Sequence, residues 1–201
     1  AVFDAISLRM PLQPAFIDAL VAQSAAHGTV MALYRNIAAL AKAESPELAL
    51  NGDRSGDRAN MLVSALHDAF LAHLARNMEL QALAQALTAR IDADGLPARV
   101  IKGLDFADNV YGGIQVRPFS DVDILTAPEA MAELHEILAD LGFTAVTPNE
   151  KREAYSERQF GRPRHDDGYD LVELHTDLVH APKLRRSMTL TYADYADPGL
   201  G

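Results

Sequence analysis

The chain contains no cysteine and no tryptophan among its 201 residues. The absence of cysteine excludes a disulfide-stabilised scaffold, a thiolate metal site and a cysteine nucleophile. Basic residues are also scarce, with 18 Lys and Arg against 28 Asp and Glu and a formal net charge of -10. General binding to nucleic acid by phosphate neutralisation is therefore not expected, whereas the many carboxylates suit a divalent cation.

Long apolar runs are missing as well. No stretch approaches the roughly 20 apolar residues that cross a bilayer, and residues 1–4 do not begin a basic segment followed by an apolar one. These patterns predict a soluble, cytoplasmic protein without a membrane partner. The chain lacks an initiator Met and ends in a tail that contains Gly and Pro, so we expect a processed or truncated piece of a longer protein.

The first 95 residues show helical periodicity. Apolar residues recur at helical spacing over residues 14–26 and again over residues 29–40, and Gly28 separates the two segments. A third segment, over residues 57–95, carries apolar residues three to five positions apart. It predicts one helix of about nine turns or two collinear helices. We therefore predict an N-terminal helical bundle over residues 1–95.

From residue 96 the pattern changes to short apolar runs between glycines. The predicted strands are 98–101, 121–126, 143–146 and 169–178, and the predicted helices are 104–111 and 128–141. The charged stretch 149–167, which includes Phe160, is expected to form a loop or an exposed hairpin. This succession predicts an α+β fold (mixed α/β), in which the helical bundle precedes a mixed β-sheet domain flanked by helices over residues 96–201.

Three acidic residues fall on the predicted strands. Because a strand alternates its side chains, Asp121 and Asp123 project from one face about 7 Å apart, and Glu173 shares its strand face with His175. Like charges this close repel one another unless a cation lies between them. Three acids from adjacent strands would thus form an oxygen cage for Mg²⁺ or Mn²⁺. The Asp-x-Asp spacing alone is weak evidence in so acidic a chain, since it recurs at a predicted helix end.

A lysine and a glycine follow the first predicted strand, at Lys102 and Gly103. A glycine at a strand-to-helix junction lets the backbone approach a ligand closely, and the helix start offers free N–H groups to a phosphate. Lys102 would add a point charge. An ordinary connection glycine beside a surface lysine is the simpler interpretation and stays open. Arg117 either pairs with a nearby carboxylate or reaches towards a phosphate.

These stretches resemble an uncharacterised group, nucleotidyltransferase family 5, within the DNA polymerase beta-like nucleotidyltransferase superfamily. The resemblance covers residues 14–180. It is carried by Val-Ile-Lys-Gly at 100–103, by Arg-Pro-Phe-Ser-Asp-Val-Asp-Ile-Leu at 117–125 and by Leu-Val-Glu-Leu-His at 171–175. The Arg-x-x-Ser-Asp-x-Asp-Ile run is the most specific of these motifs.

The resemblance implies an enzyme that moves a nucleoside monophosphate from a nucleoside triphosphate to an unknown small-molecule or protein acceptor, with release of pyrophosphate. It implies that Asp121 and Asp123 bind Mg²⁺ or Mn²⁺. Glu173 would be the third carboxylate and would help to deprotonate the acceptor hydroxyl. The nucleotide-binding residues that follow from it are Lys102, Gly103, Arg117, Ser120 and His175.

Two departures from the superfamily keep other functions open. Lys102 and Gly103 replace the Gly-Ser pair of minimal nucleotidyltransferases, and the separation from Gly103 to Asp121 is longer. One alternative is a non-catalytic module that keeps the fold for binding or regulation. The other is a metal-dependent hydrolase that uses His175 with Asp121 and Glu173.

Overall fold

The computed structural model describes residues 13–43, 55–103, 107, 110–146, 157–165, 167–179, 181 and 183–196 of the chain, with only the backbone of residues 40, 43 and 55–59. The chain divides into two compact units. The first consists of residues 1–77 and 111–118, and the second consists of residues 78–110 and 119–201. The predicted domain boundary between residues 95 and 96 stays a prediction.

The helices of the N-terminal half lie where the apolar spacing predicts them. The described helices are α1 (Pro14–Ala26), α2 (Val30–Ala43), α3 (Ser55–Asp94), α4 (Met131–Asp140) and α5 (Tyr192–Ala196), with 3-10 turns at Pro128–Ala130 and Leu184–Arg186. The long periodic segment is one continuous helix of 40 residues, α3. Gly28 separates α1 from α2 with a φ of 64°, in the left-handed region that glycine adopts readily. None of the described helices combines the length and the apolar character needed to span a membrane.

The first unit packs α1, α2 and the first part of α3 around a small apolar core. The buried residues of this core are Val30, Met31, Ile37, Leu62 and Leu66. Asn77 of α3 is also fully buried. Its side-chain amide donates to the carbonyl oxygens of Ile114 at 2.6 Å and Arg117 at 2.8 Å, so this one side chain holds the segment 111–118.

Replacing Asn77 with alanine is expected to lower the free energy of unfolding by about 2 kcal/mol, because two carbonyl oxygens lose their donor. Urea denaturation of the wild type and the variant measures the difference. Asn60→Ala, at an exposed position of the same helix, is the matched control and should change stability by less than about 0.5 kcal/mol. Equal losses in both variants would contradict this role of Asn77.

The second unit is built on a five-stranded mixed sheet. The strands are β1 (Ala98–Ile101), β2 (Asp121–Thr126), β3 (Thr144–Ala145), β4 (Glu157–Pro163) and β5 (Tyr169–His175), in the order β1-β2-β5-β4-β3. The central strands β2 and β5 are parallel, and the other neighbours are antiparallel. The predicted fold class, a helical N-terminal region followed by a mixed sheet with helices, is confirmed.

One face of this sheet is apolar and packs against helices. Val122 and Ile124 of β2 and Val172 and Leu174 of β5 belong to one buried cluster with residues of α4 and of the last third of α3. Because side chains alternate along a strand, the residues between them project from the opposite face. Asp121 and Asp123 of β2 and Glu173 and His175 of β5 therefore share one face of the sheet, opposite the apolar cluster.

The expectation of a loop or an exposed hairpin over 149–167 misses that residues 157–163 are a strand inside the sheet. Residues 157–163 form β4, which pairs with β5 on one side and β3 on the other. Phe160 is buried at 1% exposure, with its ring 5.1 Å from that of His135. Residues 147–156 lie outside the described residues, as does most of the predicted helix 104–111.

Candidate functional site

The polar face of the sheet gathers its acidic residues at the β2–β5 pair. In the parallel register Asp123 stands opposite Glu173, and Asp121 stands opposite Leu171. On the other side of β2, Ile101 at the end of β1 stands opposite Asp123. The residue after it, Lys102, therefore enters the same neighbourhood. The expectation that the acids come from adjacent strands is met by this register.

Asp123 lies at the centre of the cluster and is 8% exposed. Its Oδ1 atom accepts hydrogen bonds from Nε2 of the fully buried His175 at 2.8 Å and from Nζ of Lys102 at 3.0 Å. Burial by itself raises the pKa of Asp123, but the hydrogen bonds and charges of His175 and Lys102 outweigh it and hold the pKa below its ordinary value. Asp123 is therefore held in its anionic form.

Glu173 is fixed by a residue of the neighbouring strand. The side-chain amide of Gln159 on β4 donates to Glu173 Oε1 at 2.8 Å, and Glu173 Oε2 lies 3.7 Å from His175 Nε2. Burial raises the pKa of Glu173, and the negative charges of Glu157 and Asp121 raise it further. The sequence did not single out Gln159. Its only signal is the register with Glu173, which becomes visible once residues 157–163 are known to form a strand.

Asp121 stands at the edge of the same cluster. Burial raises its pKa above the ordinary value, and the negative charge of Asp123 adds to the effect. A hydrogen bond with the exposed Ser120 and the charge of Lys102 act in the opposite direction. The pKa values of Asp121 and Glu173 are thus raised mainly because these carboxyls are buried, and further because other negative charges lie nearby.

The residues of this cluster fit a divalent cation. Asp123, Glu173 and His175 each offer a ligand atom, and these atoms all lie within 4.8 Å of one another. Two carboxylates and an imidazole are donors that divalent metals accept. Asp121 does not belong to this set, so the ligand set Asp121, Asp123 and Glu173 stays a prediction. His175, which the sequence assigned to nucleotide binding, lies among the acids.

The residues that the sequence predicts to bind the nucleotide have different surroundings in the structure. Lys102 forms an ion pair with Asp123 and is not a simple surface lysine. A Cβ atom added to Gly103 would lie 3.8 Å from the Phe119 side chain, an ordinary contact, so packing within the protein does not require glycine there. Arg117 is exposed and belongs to the first unit, where its guanidinium lies 5.9 Å from the ring centroid of Tyr111. Its contact with a nucleotide stays a prediction.

Comparison with known proteins identifies one matching group. The model of a family described as an uncharacterised nucleotidyltransferase matches residues 13–198 of the chain. The resemblance inferred from the motifs is confirmed by this match. No curated protein and no solved structure matches the chain significantly.

Proposed function

Because the chain belongs to the family of uncharacterised nucleotidyltransferases, we propose that it transfers a nucleoside monophosphate from a nucleoside triphosphate to the hydroxyl group of a small-molecule or protein acceptor and releases pyrophosphate. We further propose that the reaction depends on Mg²⁺ or Mn²⁺. The observation that carries both proposals is the convergence of ligand atoms from Asp123, Glu173 and His175 within 4.8 Å in a member of this family.

Asp123 and Glu173 would hold the cation, with Asp121 beside them. A bound divalent ion supplies positive charge to the phosphate oxygens and orients the nucleotide. The ionised state of Asp123, which His175 and Lys102 maintain, keeps one ligand permanently anionic.

The other residues of the site would act on the acceptor and the phosphates. Glu173 would also help to deprotonate the acceptor hydroxyl, because a carboxylate positioned beside the reacting group can accept its proton. Gln159 fixes the orientation of that carboxylate through Oε1. Lys102 would supply a point charge for the triphosphate.

Isothermal titration with Mn²⁺ and a non-hydrolysable nucleoside triphosphate tests this function, with each common base tried in turn. We expect coupled binding, in which each ligand raises the affinity for the other, because the phosphates complete the coordination of the cation. Two matched variants show whether the coupled binding belongs to the site, because each removes one acid. Asp123→Asn changes the cluster, and Asp140→Asn changes an exposed position of α4. Absence of coupled binding for every base would overturn the proposal.

Gly103→Ala tests the predicted approach of phosphate to the backbone. The added methyl group meets only ordinary contacts within the protein, so the thermal midpoint should change little. Nucleotide affinity in the presence of Mn²⁺ should fall by about tenfold, because the methyl group would occupy the space that a phosphate needs. Unchanged affinity, measured in the same titration, would show that the phosphates do not approach Gly103.

A metal-dependent hydrolase is the second candidate function. The observation that favours it is that His175, and not Asp121, belongs with Asp123 and Glu173 to the group whose ligand atoms lie close together. Imidazole nitrogen and carboxylate oxygen are both ligand types that Zn²⁺ accepts. Elemental analysis of the purified protein distinguishes the two candidates. One zinc per chain would favour the hydrolase, and exchangeable Mg²⁺ or Mn²⁺ would favour the transferase.

A further inference from the structure

Lys102 has an unusual backbone conformation. Its φ of 56° lies in the left-handed region, where Asp167 is the only other non-glycine residue of the described chain. A side chain with a Cβ atom is disfavoured there, and glycine would adopt the conformation freely. A lysine kept in a strained conformation beside a functional cluster indicates a role for its side chain.

The ammonium group of Lys102 lies where a cation bound by Asp123 would meet it. Its Nζ atom is 3.0 Å from Asp123 Oδ1, and the same oxygen accepts a hydrogen bond from His175 Nε2 at 2.8 Å. Oδ1 already accepts from two N–H donors and has little capacity left for a metal ion, so a cation would reach only Oδ2 while Lys102 is in place. Two positive charges on one carboxylate also repel each other strongly at such short range. Lys102 and a divalent cation therefore compete for Asp123.

The Lys102 side chain also has room to leave. Its side chain is 34% exposed, whereas that of Asp123 is 11% exposed. The carboxylate is thus held within the sheet face while the lysine can turn towards solvent. Glu173 stands opposite Asp123 in the β2–β5 register, and Asp121 lies on the same strand face as Asp123. Because these further acids lie beside the same position, the departure of one positive charge would favour the arrival of another.

We propose that Lys102 is a displaceable counter-ion, which a divalent cation must remove from Asp123 and which then binds the phosphates of the nucleotide. This inference rests on the proposed function, since it takes Asp123 as a metal ligand. The lysine opposes binding of the cation alone and favours binding of the cation together with a nucleotide. It thereby makes occupation of the metal position depend on the substrate.

Lys102→Met tests the inference, because methionine keeps the Cβ atom and the length of the chain but removes the charge. Free Mn²⁺ measured by electron paramagnetic resonance gives the affinity for the ion alone. We expect this affinity to rise by about five- to tenfold in the variant. The effect of a non-hydrolysable triphosphate on Mn²⁺ affinity should fall by a similar factor, because the phosphates have lost their partner.

Two other variants make the result interpretable. Lys183→Met removes the same charge at an exposed position and should leave both affinities within twofold of the wild type. Lys102→Gly suits the positive φ, so it should fold even if the methionine variant does not, and we expect from it the same rise in Mn²⁺ affinity.

The outcomes separate this inference from the proposed function. If the wild type shows coupled binding of Mn²⁺ and nucleotide, but neither Lys102 variant binds Mn²⁺ alone more tightly, Lys102 is a fixed structural partner and the inference is wrong. If the wild type binds neither ligand, the proposed function fails, and the inference fails with it.

Discussion

Asp123→Asn is expected to weaken the binding of Mn²⁺ by a hundredfold or more. Even the loss of a residue that only orients a metal ligand typically reduces affinity by about 10- to 100-fold, and Asp123 is the member of the cluster that is held ionised. The variant should also lose the ability to transfer a labelled α-phosphate from a nucleoside triphosphate to components of a cell extract. Titration calorimetry measures the first effect, and gel or thin-layer separation of the labelled products measures the second.

The same substitution should also destabilise the fold at neutral pH. Because the folded pKa of Asp123 is lowered, its ionised form contributes stability that is present above the unfolded pKa of about 3.9 and is lost as the pH falls through the folded value. The variant removes the negative charge to which Lys102 and the fully buried His175 donate, at a cost of about 1–3 kcal/mol. The difference in free energy of unfolding between the wild type and Asp123→Asn should become smaller below pH 4.

Asp140→Asn is the control for both effects, since Asp140 is exposed on α4. It should leave Mn²⁺ affinity within about twofold and stability within about 0.5 kcal/mol of the wild type. An Asp123→Asn variant that bound Mn²⁺ as tightly as this control would remove Asp123 from the metal site.

Glu173→Gln is expected to lower the rate of transfer by about 10²- to 10⁴-fold, the range typical of a general base. Glutamine retains an oxygen that can accept the hydrogen bond from Gln159, so the local structure should persist. The variant cannot accept a proton from the acceptor. Transfer of the labelled α-phosphate at saturating Mn²⁺ and nucleotide measures the effect.

The stability of Glu173→Gln should change in the opposite direction to the stability of Asp123→Asn. The folded pKa of Glu173 is raised, so the protonated form favours the folded protein. This contribution to stability is fully present below the unfolded value of about 4.3 and is lost as the pH rises through the folded value. Glutamine mimics the protonated form, so the variant should be slightly more stable than the wild type at pH 7 and show a smaller loss between pH 4 and pH 7. Urea denaturation across this range provides the measurement.

Glu133→Gln, at an exposed position of α4, controls for the loss of one negative charge. It should alter neither the transfer rate nor the pH dependence of stability. If Glu173→Gln retained the wild-type rate, the assignment of Glu173 as the base would be wrong even if metal binding were intact.

Local patterns sufficed for much of the fold. The apolar spacing of α3 and the alternation in β2 are properties of neighbouring residues, and an isolated segment already expresses them. Period two likewise places Asp121 with Asp123, and Glu173 with His175, on common strand faces. The motifs carried enough additional information to identify the family before any strand pairing was known.

Strand β4 shows where local patterns were insufficient. Residues 157–163 contain several charged and polar side chains, and the sequence therefore favoured an exposed segment. In the sheet two of those groups have partners on β5: Arg162 pairs with Asp170 at 2.8 Å, and Gln159 donates to Glu173. Phe160 could then be buried between its neighbours. Such partners become visible only when the pairing of the strands is known, because a buried polar group needs a hydrogen-bond partner that its own segment does not supply.

By itself the sequence determined the family, the helical and sheet-forming halves, and the strand faces that carry the acids. Only the tertiary structure decided which groups meet at Asp123. The parallel pairing of β2 with β5 brings in His175, 52 residues away along the chain, and the end of β1 brings in Lys102, 21 residues away. Contacts at such separations follow from the order and register of the strands, which the apolar core of the sheet selects and which the spacing of side chains within one segment does not encode.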